Sequence, residues 1–152
     1  MAVRAGTLDA SRAINGSYGE CWQEGKWLTN VHTMKADVEF TKADVKKSGS
    51  RWTGTKVTGL KGTGSITGYL VTDALKMALV EGLDDRKPTF KTELISKLDD
   101  PEAYGFEKVR LKGVSFDKLP AVNWAVGELI EDEWAFTFDD LEFLNPIAET
   151  EI

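Results

Sequence analysis

The segment "TGTKVTGLKGTGSITGYLV", Thr53–Val71, has five glycines and decides the fold, because its part from Leu60 to Leu70 predicts a β-strand in spite of them. Strict alternation places Gly62, Gly64 and Gly68 on one face, in phase with apolar residues, and short hydroxyl side chains on the other. Glycine in a strand costs about 0.5–1 kcal/mol per position. We therefore expect another element to approach this backbone closely, or the strand to bend sharply.

The same glycines do not form a nucleotide-binding loop. A phosphate-binding loop of the Walker type needs lysine after its second glycine, and "GTKVTGLK" has Leu60 there. A dinucleotide fingerprint needs a third glycine at the start of a helix, and "GTGSIT" has Thr67 at that position. Neither phosphate-binding motif is present, and we expect no cofactor.

The rest of the chain also has mainly the two-residue period of β-strands. "MKADVEFT" (34–41) alternates strictly, and "VRLKGVSF" (109–116) changes phase at Gly113, which predicts a β-bulge. "EWAFTFDDLEF" (133–143) changes phase at Asp139–Asp140, and "ECWQEGKWL" (20–28) predicts a hairpin turning at Glu24–Gly25.

One segment has a helical period, with apolar residues Val71, Ala74, Leu75, Ala78 and Leu79 on one face. The pattern predicts a mainly β fold of two packed antiparallel sheets, or a partly closed barrel, with one α-helix at about 72–82 covering an open end. At 152 residues the chain fits one domain, 1–152. It would carry an N-terminal arm, 1–14, and a basic hairpin or loop, 42–61.

Charge is divided unevenly along the chain. The net charge is −6, yet no lysine or arginine follows Lys118, and nine of the 25 acidic residues lie in 119–152. The segment 42–61 has six basic residues and one acidic residue, Asp44. This distribution suits self-association. Two solvated faces on a monomer are the alternative.

The residue types argue against an enzyme or a metal site. His32 is the only histidine and Cys21 the only cysteine, so an ordinary zinc site and an internal disulfide are both excluded. A Cys21–His32 dyad lacks a third orienting group, and Ser65 lacks the GxSxG context of a nucleophilic serine. We expect no catalytic site, no bound metal and no membrane-spanning segment.

Three stretches resemble the tail tube proteins of contractile phages and phage-derived bacteriocins, of the PBSX-like prophage type. They are "INGSYGECWQEGKWL" (14–28), the run from Ala36 to Leu75 that contains "TGTKVTGLKGTGSITGYLVTDAL", and "GELIEDEWAFTFDDLEFL" (127–144). The resemblance implies a structural subunit that forms stacked hexameric rings around a central channel. Its expected partners are other copies of itself, a sheath protein, and baseplate and tape-measure proteins. DNA would be only passing cargo.

The resemblance, with the charge pattern, suggests two sets of residues. We expect subunit contacts at the basic segment, the glycine face and the acidic end, namely Lys42, Lys46, Lys47, Arg51, Trp52, Gly59, Gly62, Gly64, Asp139, Asp140 and Glu142. We expect a channel lining of charged and hydroxyl residues, namely Lys35, Asp37, Glu39, Thr63, Ser65 and Thr67. The subunit would be assembled in the bacterial host cytoplasm and belong to a virion tail or a bacteriocin particle.

An alternative from another class is a monomeric β-sandwich module that binds a ligand such as a carbohydrate. It would use exposed tryptophans, with Trp27, Trp52 and Trp124 as the candidates. Rings or tubes in electron micrographs favour the tube subunit, whereas dispersed monomers favour the binding module.

Overall fold

The computed structural model describes residues 7–148 and is built mainly of antiparallel strands. The strands are β1 (Gly19–Gln23), β2 (Lys26–Trp27), β3 (Val31–Lys46), β4 (Thr53–Tyr69), β5 (Thr92–Leu98), β6 (Glu107–Phe116), β7 (Glu131–Phe138) and β8 (Asp140–Asn145). The helix α1 (Ala74–Val80) follows β4. The mainly β fold class with one α-helix is therefore confirmed.

The strands follow the order β2-β1-β5-β6-β7-β4-β3, and β8 pairs with β6 beside β7. One half of the fold contains β1, β2, β5 and β8, the other contains β3, β4 and β7, and β6 belongs to both. The strand path ends at β2 and β3, so residues 7–148 form a partly open barrel of two facing sheets, as predicted.

Strand β6 can serve both sheets because it bends at Gly113. This glycine has φ +65°, a left-handed conformation that favours glycine. The pairing with β5 shifts here, since Leu111 lies opposite Leu94 and Val114 opposite Thr92. The predicted bulge is confirmed. The predicted phase change at Asp139–Asp140 is the point where the chain leaves β4 and where its pairing with β6 passes from β7 to β8.

The turn between β1 and β2 lies at Glu24–Gly25, as predicted. Both residues have positive φ, +46° and +82°, which is the conformation of the tight two-residue turn that suits the twist of an antiparallel hairpin. Trp22 and Trp27 lie opposite each other across this hairpin, with nearly parallel rings 6.0 Å apart.

The core lies between the two sheets and is contributed by both of them. Its buried apolar residues are Cys21, Ile66, Leu94, Val109, Leu111, Val114, Trp134, Phe136 and Phe138. Leu94, Val114 and Phe136 are fully buried. At about 1.5–3 kcal/mol for each buried large side chain, this cluster is the main source of stability.

The glycine face of β4 lies against this core. Gly62 is opposite Phe138 and Gly64 is opposite Phe136 on β7. A β-carbon at Gly64 would lie 2.6 Å from the Phe136 ring and 2.5 Å from the carbonyl oxygen of Lys35, and one at Gly62 would overlap the Phe138 ring. The phenylalanine rings cover the bare backbone of the neighbouring strand. The expected close approach occurs, but the approaching groups belong to the same chain.

The helix is shorter than the predicted 72–82. It begins after Asp73, whose side chain makes no capping hydrogen bond, and Glu81–Leu83 continue it as a tighter 3-10 turn. Leu75 and Leu79 pack against the core, as the helical pattern predicted. Val71 does not, because it lies before the helix and is exposed.

The N-terminal segment is attached to the loop that follows β5. The Asp100 carboxylate accepts hydrogen bonds from the backbone N–H of Asn15, at 2.8 Å, and of Glu102, at 2.9 Å. Arg12 donates to the carbonyl oxygen of Glu102 and lies over the Tyr104 ring. Residues 1–6 of the predicted arm lie outside the described residues.

The Asp100 contacts predict an acid-sensitive attachment. The two backbone N–H donors, first Asn15 and then Glu102, lower the pKa of Asp100. A carboxyl group whose pKa is lower in the folded chain than in the unfolded chain stabilises the folded state. This stabilisation is fully present above the unfolded pKa of about 3.9 and is lost as the pH falls through the folded pKa. We expect the Asn15 and Glu102 amide resonances to titrate below about pH 3.9. In Asp100→Asn this titration should disappear. Unchanged amide shifts in the wild type across this range would contradict the assignment.

Candidate assembly surfaces

Strands β3, β4 and β7 share one continuous polar face on the side away from the core. Register brings predicted lining residues together in direct pairs, because Lys35 lies opposite Ser65 and Asp37 opposite Thr63. Thr67 lies opposite Glu133 of β7. All six residues predicted to line a channel therefore lie on this face, which we call the polar face.

The polar face is net negative and includes residues that sequence reasoning did not select. Its charged positions on the three strands are Lys35, Lys56, Lys61, Asp37, Glu39, Glu131 and Glu133. Lys35 and Asp37 form a surface ion pair at 3.7 Å. Glu131, Glu133 and Thr137 alternate with the buried Trp134 and Phe136, so their outward direction was readable from the sequence. Their pairing with β4 was not.

The hairpin of β3 and β4 extends well beyond the body of the protein. Strand β7 pairs with β4 only from Gly62 to Tyr69. The preceding nine residues of β4, Thr53–Lys61, are paired with β3 alone. At about 3.3 Å per residue this projection is roughly 30 Å long. An isolated two-stranded hairpin is marginally stable in water, so a projection of this length calls for a partner surface.

One face of the projecting hairpin carries exposed apolar side chains. Phe40 and Leu60 lie directly opposite each other and are 61% and 67% exposed. The pairing shifts after Thr41, and Thr58 is the additional residue on β4. This bulge keeps Val57 on the same face as Leu60. We call Val38, Phe40, Val57 and Leu60 the hairpin apolar patch.

The tip of the hairpin is basic and ends in an exposed tryptophan. Lys46, Lys47 and Arg51 surround the turn, in which Gly49 has φ +77°. Trp52 is 82% exposed, and its backbone N–H donates to the Ser50 hydroxyl. The structure thus brings four of the predicted contact residues together at the tip, namely Lys46, Lys47, Arg51 and Trp52. Lys42, the other contact residue predicted in this segment, lies opposite Val57 near the hairpin apolar patch.

The predicted acidic contact residues lie beside a lysine of their own chain. Lys112 Nζ is 3.0 Å from Glu142 Oε2 and 4.0 Å from Asp140 Oδ2. Asp139 follows Phe138, which is opposite Gly62 at the point where the hairpin leaves the body. The acidic corner (Asp139, Asp140 and Glu142) is therefore at the same end of the subunit as the hairpin. Its contact with a neighbouring basic tip stays a prediction.

The three glycines predicted at a subunit interface differ in their surroundings. Gly62 and Gly64 are covered by Phe138 and Phe136 of the same chain, so the space they leave is already filled. Gly59 lies in the projecting hairpin, and a β-carbon there would be 3.6 Å from Thr41, an ordinary contact distance. Of the three, only Gly59 leaves room that another molecule could use.

The described residues offer little for catalysis. Cys21 and His32 line the same cleft between the edges of the two sheets, but burial raises the pKa of the Cys21 thiol to about 12. The thiol therefore stays protonated at neutral pH and is a poor nucleophile. His32 instead lies beside Glu131, at 3.3 Å, and the Tyr69 ring.

Two further properties concern metals and membranes. Within residues 7–148, the acidic, histidine and cysteine side chains do not gather into a group of three or more that could hold a metal ion. The helices of this part of the chain are all too short to cross a bilayer as an apolar span.

The fold is that of solved components of contractile injection systems. The anti-feeding prophage cap, a tube-terminating cap, matches 96% of this chain and 100% of its own with a TM-score of 0.70 at 8% identity. A subunit of the sheath-tube complex of the PVC extracellular contractile injection system matches 86% of this chain and 90% of its own, with a TM-score of 0.66 at 6% identity. At such low identity these likenesses show the fold alone, which is tail-tube-like as predicted.

Sequence comparison identifies the family. Two proteins of Bacillus subtilis (strain 168), the phage-like element PBSX protein XkdM and the uncharacterized protein YqbM, are each 32% identical to this chain over 145 residues. Each match covers 94% of this chain and 98% of the relative. Residues 6–145 match the family described as phage tail tube protein. The chain therefore belongs to the phage tail tube protein family.

Proposed function

We propose that this chain is the repeating structural subunit of the inner tube of a contractile phage tail or of a headless phage-derived bacteriocin. Its copies form hexameric rings that stack around a channel, and it performs no catalysis. The observation that carries this proposal is the projecting hairpin, whose apolar patch has no partner surface among residues 7–148. Repeated copies of one chain supply such partners at every position of a symmetric assembly.

Ring closure is supported by the free edge of the sheet. Strand β3 is the end of the strand path, and its sixteen residues pair on one side only within the described part of the chain. A long exposed edge invites pairing with other chains, and closure into a barrel removes it. A ring of identical subunits would cover this edge without leaving an end open.

The polar face supports a water-filled channel. Its threonine and serine side chains are wettable, and its charged positions comprise four acids and three lysines. Basic side chains bind the nucleic-acid backbone through its phosphates. A lining that is net negative would let DNA pass without adhering, in a particle that carries a genome.

The family and the solved neighbours support a tube that works together with other structural proteins. The neighbour structures include a sheath-tube complex and a baseplate. We infer that this subunit contacts a sheath protein, baseplate proteins and a tape-measure protein, and that it assembles in the bacterial host cytoplasm. Family membership does not support the monomeric carbohydrate-binding module. In addition, Trp52 directly precedes the first residue of β4, whereas Trp27 lies near the last residues of that strand, so the two tryptophans share no binding surface.

The proposed function can be tested by electron microscopy of the purified chain at increasing protein concentration. We expect hollow tubes or rings with six-fold symmetry. A chain that remains monomeric at every concentration and salt condition would overturn the proposed function.

The channel position of the polar face can be tested by cysteine labelling. Ser65→Cys lies on the polar face, whereas Lys97→Cys lies on the outer face of the other sheet, opposite Lys108. Native Cys21 is 3% exposed and should not react. We expect a maleimide carrying a chain of several kilodaltons to label both variants equally as monomers. In tubes, labelling of Ser65→Cys should fall at least about tenfold while Lys97→Cys is unchanged, because the channel excludes bulky reagents. Equal labelling in tubes would place the polar face outside.

A further inference from the structure

A pocket lies at the end of the subunit opposite the hairpin tip, where strand β4 ends. It is bounded by α1, the β1–β2 hairpin, the last residues of β4 and the first residues of β3, and has a volume of about 260 Å³. Apolar side chains form much of its wall, namely Leu28, Ile66, Leu75 and Trp134. A cavity of about 150 Å³ accommodates benzene. This pocket, which we call the end pocket, therefore has room for one substituted aromatic ring.

The end pocket contains a buried carboxylate that lacks a donor. Asp132 is on β7 in phase with the buried Trp134 and Phe136, so its side chain points inward, and that side chain is 5% exposed. Its Oδ1 atom has no hydrogen-bond partner among residues 7–148. Buried acceptors without a partner are costly and rare in native proteins. The Oδ1 atom therefore indicates that a bound molecule supplies a donor here.

A lysine beside Asp132 has unused hydrogen-bonding capacity. The Lys76 side chain is 12% exposed, and its Nζ atom is 3.6 Å from Asp132 Oδ2 and 3.9 Å from Asp73 Oδ1. Both distances are longer than those of N–H···O hydrogen bonds, which are about 2.7–3.2 Å. A buried ion pair is stable only when further hydrogen bonds satisfy its remaining donors and acceptors. A group that accepts from Lys76 and donates to Asp132 would supply both bonds.

The charges around the end pocket favour an uncharged ligand. The charged side chains that line it are Lys26, Lys76 and Asp132, and the exposed Asp73 lies beside Lys76. These two lysines and two acids balance each other. A ligand with a charge of either sign would add an unpaired charge to a site with a largely apolar wall, which is costly.

We propose that the end pocket binds a phenol, that is, a single aromatic ring with one hydroxyl group, either as a free molecule or as the tyrosine side chain of another protein. The phenolic hydroxyl donates to Asp132 Oδ1 and accepts from Lys76 Nζ, because it can do both at once. The ring packs against Leu75 and Trp134 in the apolar wall, where contact between aromatic rings adds to the gain from burial. The site lies within one subunit, so the proposal does not depend on the proposed tube.

The experiment is an NMR titration of the full-length chain, below the concentration of assembly, with p-cresol and with toluene. The two probes have the same ring and methyl group and differ only in the hydroxyl. Desolvation of the hydroxyl alone would make p-cresol the weaker ligand. Hydrogen bonding to a buried carboxylate should instead make p-cresol bind at least about tenfold more tightly than toluene. We expect shifts at the backbone N–H groups of Gly68 and Leu75, which line the pocket. Equal binding of the two probes, or tighter binding of toluene, would overturn the proposal.

The variant Asp132→Asn tests the role of the carboxylate. Hydrogen bonds to a neutral acceptor are roughly half as strong as those to a charged one, so the preference for p-cresol over toluene should fall at least about fivefold. The matched control is Glu133→Gln on the polar face of the same strand, which should leave the preference unchanged. An unchanged preference in Asp132→Asn would contradict the proposed hydrogen bond. If this variant does not fold, it will lose toluene binding as well, and the comparison of the two probes on the wild type still decides.

A third probe distinguishes the two sources of the phenol. N-acetyl-tyrosinamide carries the same phenol on a short piece of peptide backbone. If it shifts the same N–H groups as p-cresol, the end pocket accepts a tyrosine side chain, whereas binding of p-cresol alone assigns the pocket to a free phenol. Absence of shifts in the pocket with both probes would overturn the proposal.

Discussion

Replacing Phe40 and Leu60 together with serine is expected to abolish tube formation while leaving the subunit folded. The two side chains are cross-strand neighbours in the hairpin apolar patch, and more than half of each is exposed in the isolated chain. Burial of the exposed parts of these two side chains against a neighbouring subunit would contribute about 2–4 kcal/mol per subunit contact. Its loss weakens each contact by roughly 30- to 1,000-fold, and the loss is repeated at every subunit of a ring.

The matched control is Glu39→Ser/Lys61→Ser. These residues are also directly opposite each other and lie one position away from Phe40 and Leu60, but on the polar face. We expect this pair to assemble normally, since its removal changes no apolar contact and no net charge. An exposed cross-strand pair contributes only about 0.2–1 kcal/mol, so both double variants should melt within a few degrees of the wild type. Normal tubes from Phe40→Ser/Leu60→Ser would show that the patch is not an assembly surface.

Gly64→Ala is expected to destabilise the isolated subunit by about 1–3 kcal/mol, the usual cost of overpacking a core. The new methyl group would meet the Phe136 ring and the Lys35 carbonyl oxygen. The ring can shift only at the expense of the core, and the carbonyl belongs to the paired strand. For a chain of this size we expect a melting temperature lower by roughly 2–4 °C per kcal/mol, measured by calorimetry below the concentration of assembly.

Gly59→Ala is the matched control on the same strand. Its φ is not positive, and the added carbon would make only an ordinary contact with Thr41. Because alanine restricts the unfolded chain more than glycine does, this change should be neutral or stabilising by up to about 1 kcal/mol.

Combining Gly64→Ala with Phe136→Leu should destabilise less than the sum of the two single changes, since the smaller side chain leaves space for the methyl group. Strict additivity would show that the Phe136 ring is not what excludes a side chain at Gly64.

The sequence by itself determined the features that depend on local periodicity. Alternation predicted the strand at Leu60–Leu70, the bulge at Gly113 and the turn at Glu24–Gly25, and each is confirmed, although β4 begins earlier, at Thr53. It also separated the polar residues of β3 and β4 from the apolar ones. Side-chain direction in a strand repeats every two residues. The two faces of a strand can therefore be identified from neighbouring positions in the sequence alone.

Only the tertiary structure decided which faces meet. Gly62 and Gly64 were assigned to contacts between subunits, yet register places them under Phe138 and Phe136, more than seventy residues later in the chain. Asp132 and the acidic corner are likewise at opposite ends of β7, although they belong to the same acidic part of the sequence. Strand pairing is a non-local choice governed by the packing of the whole core. For that reason the sequence showed that this chain has surfaces for copies of itself, whereas the fold showed at which end each surface lies.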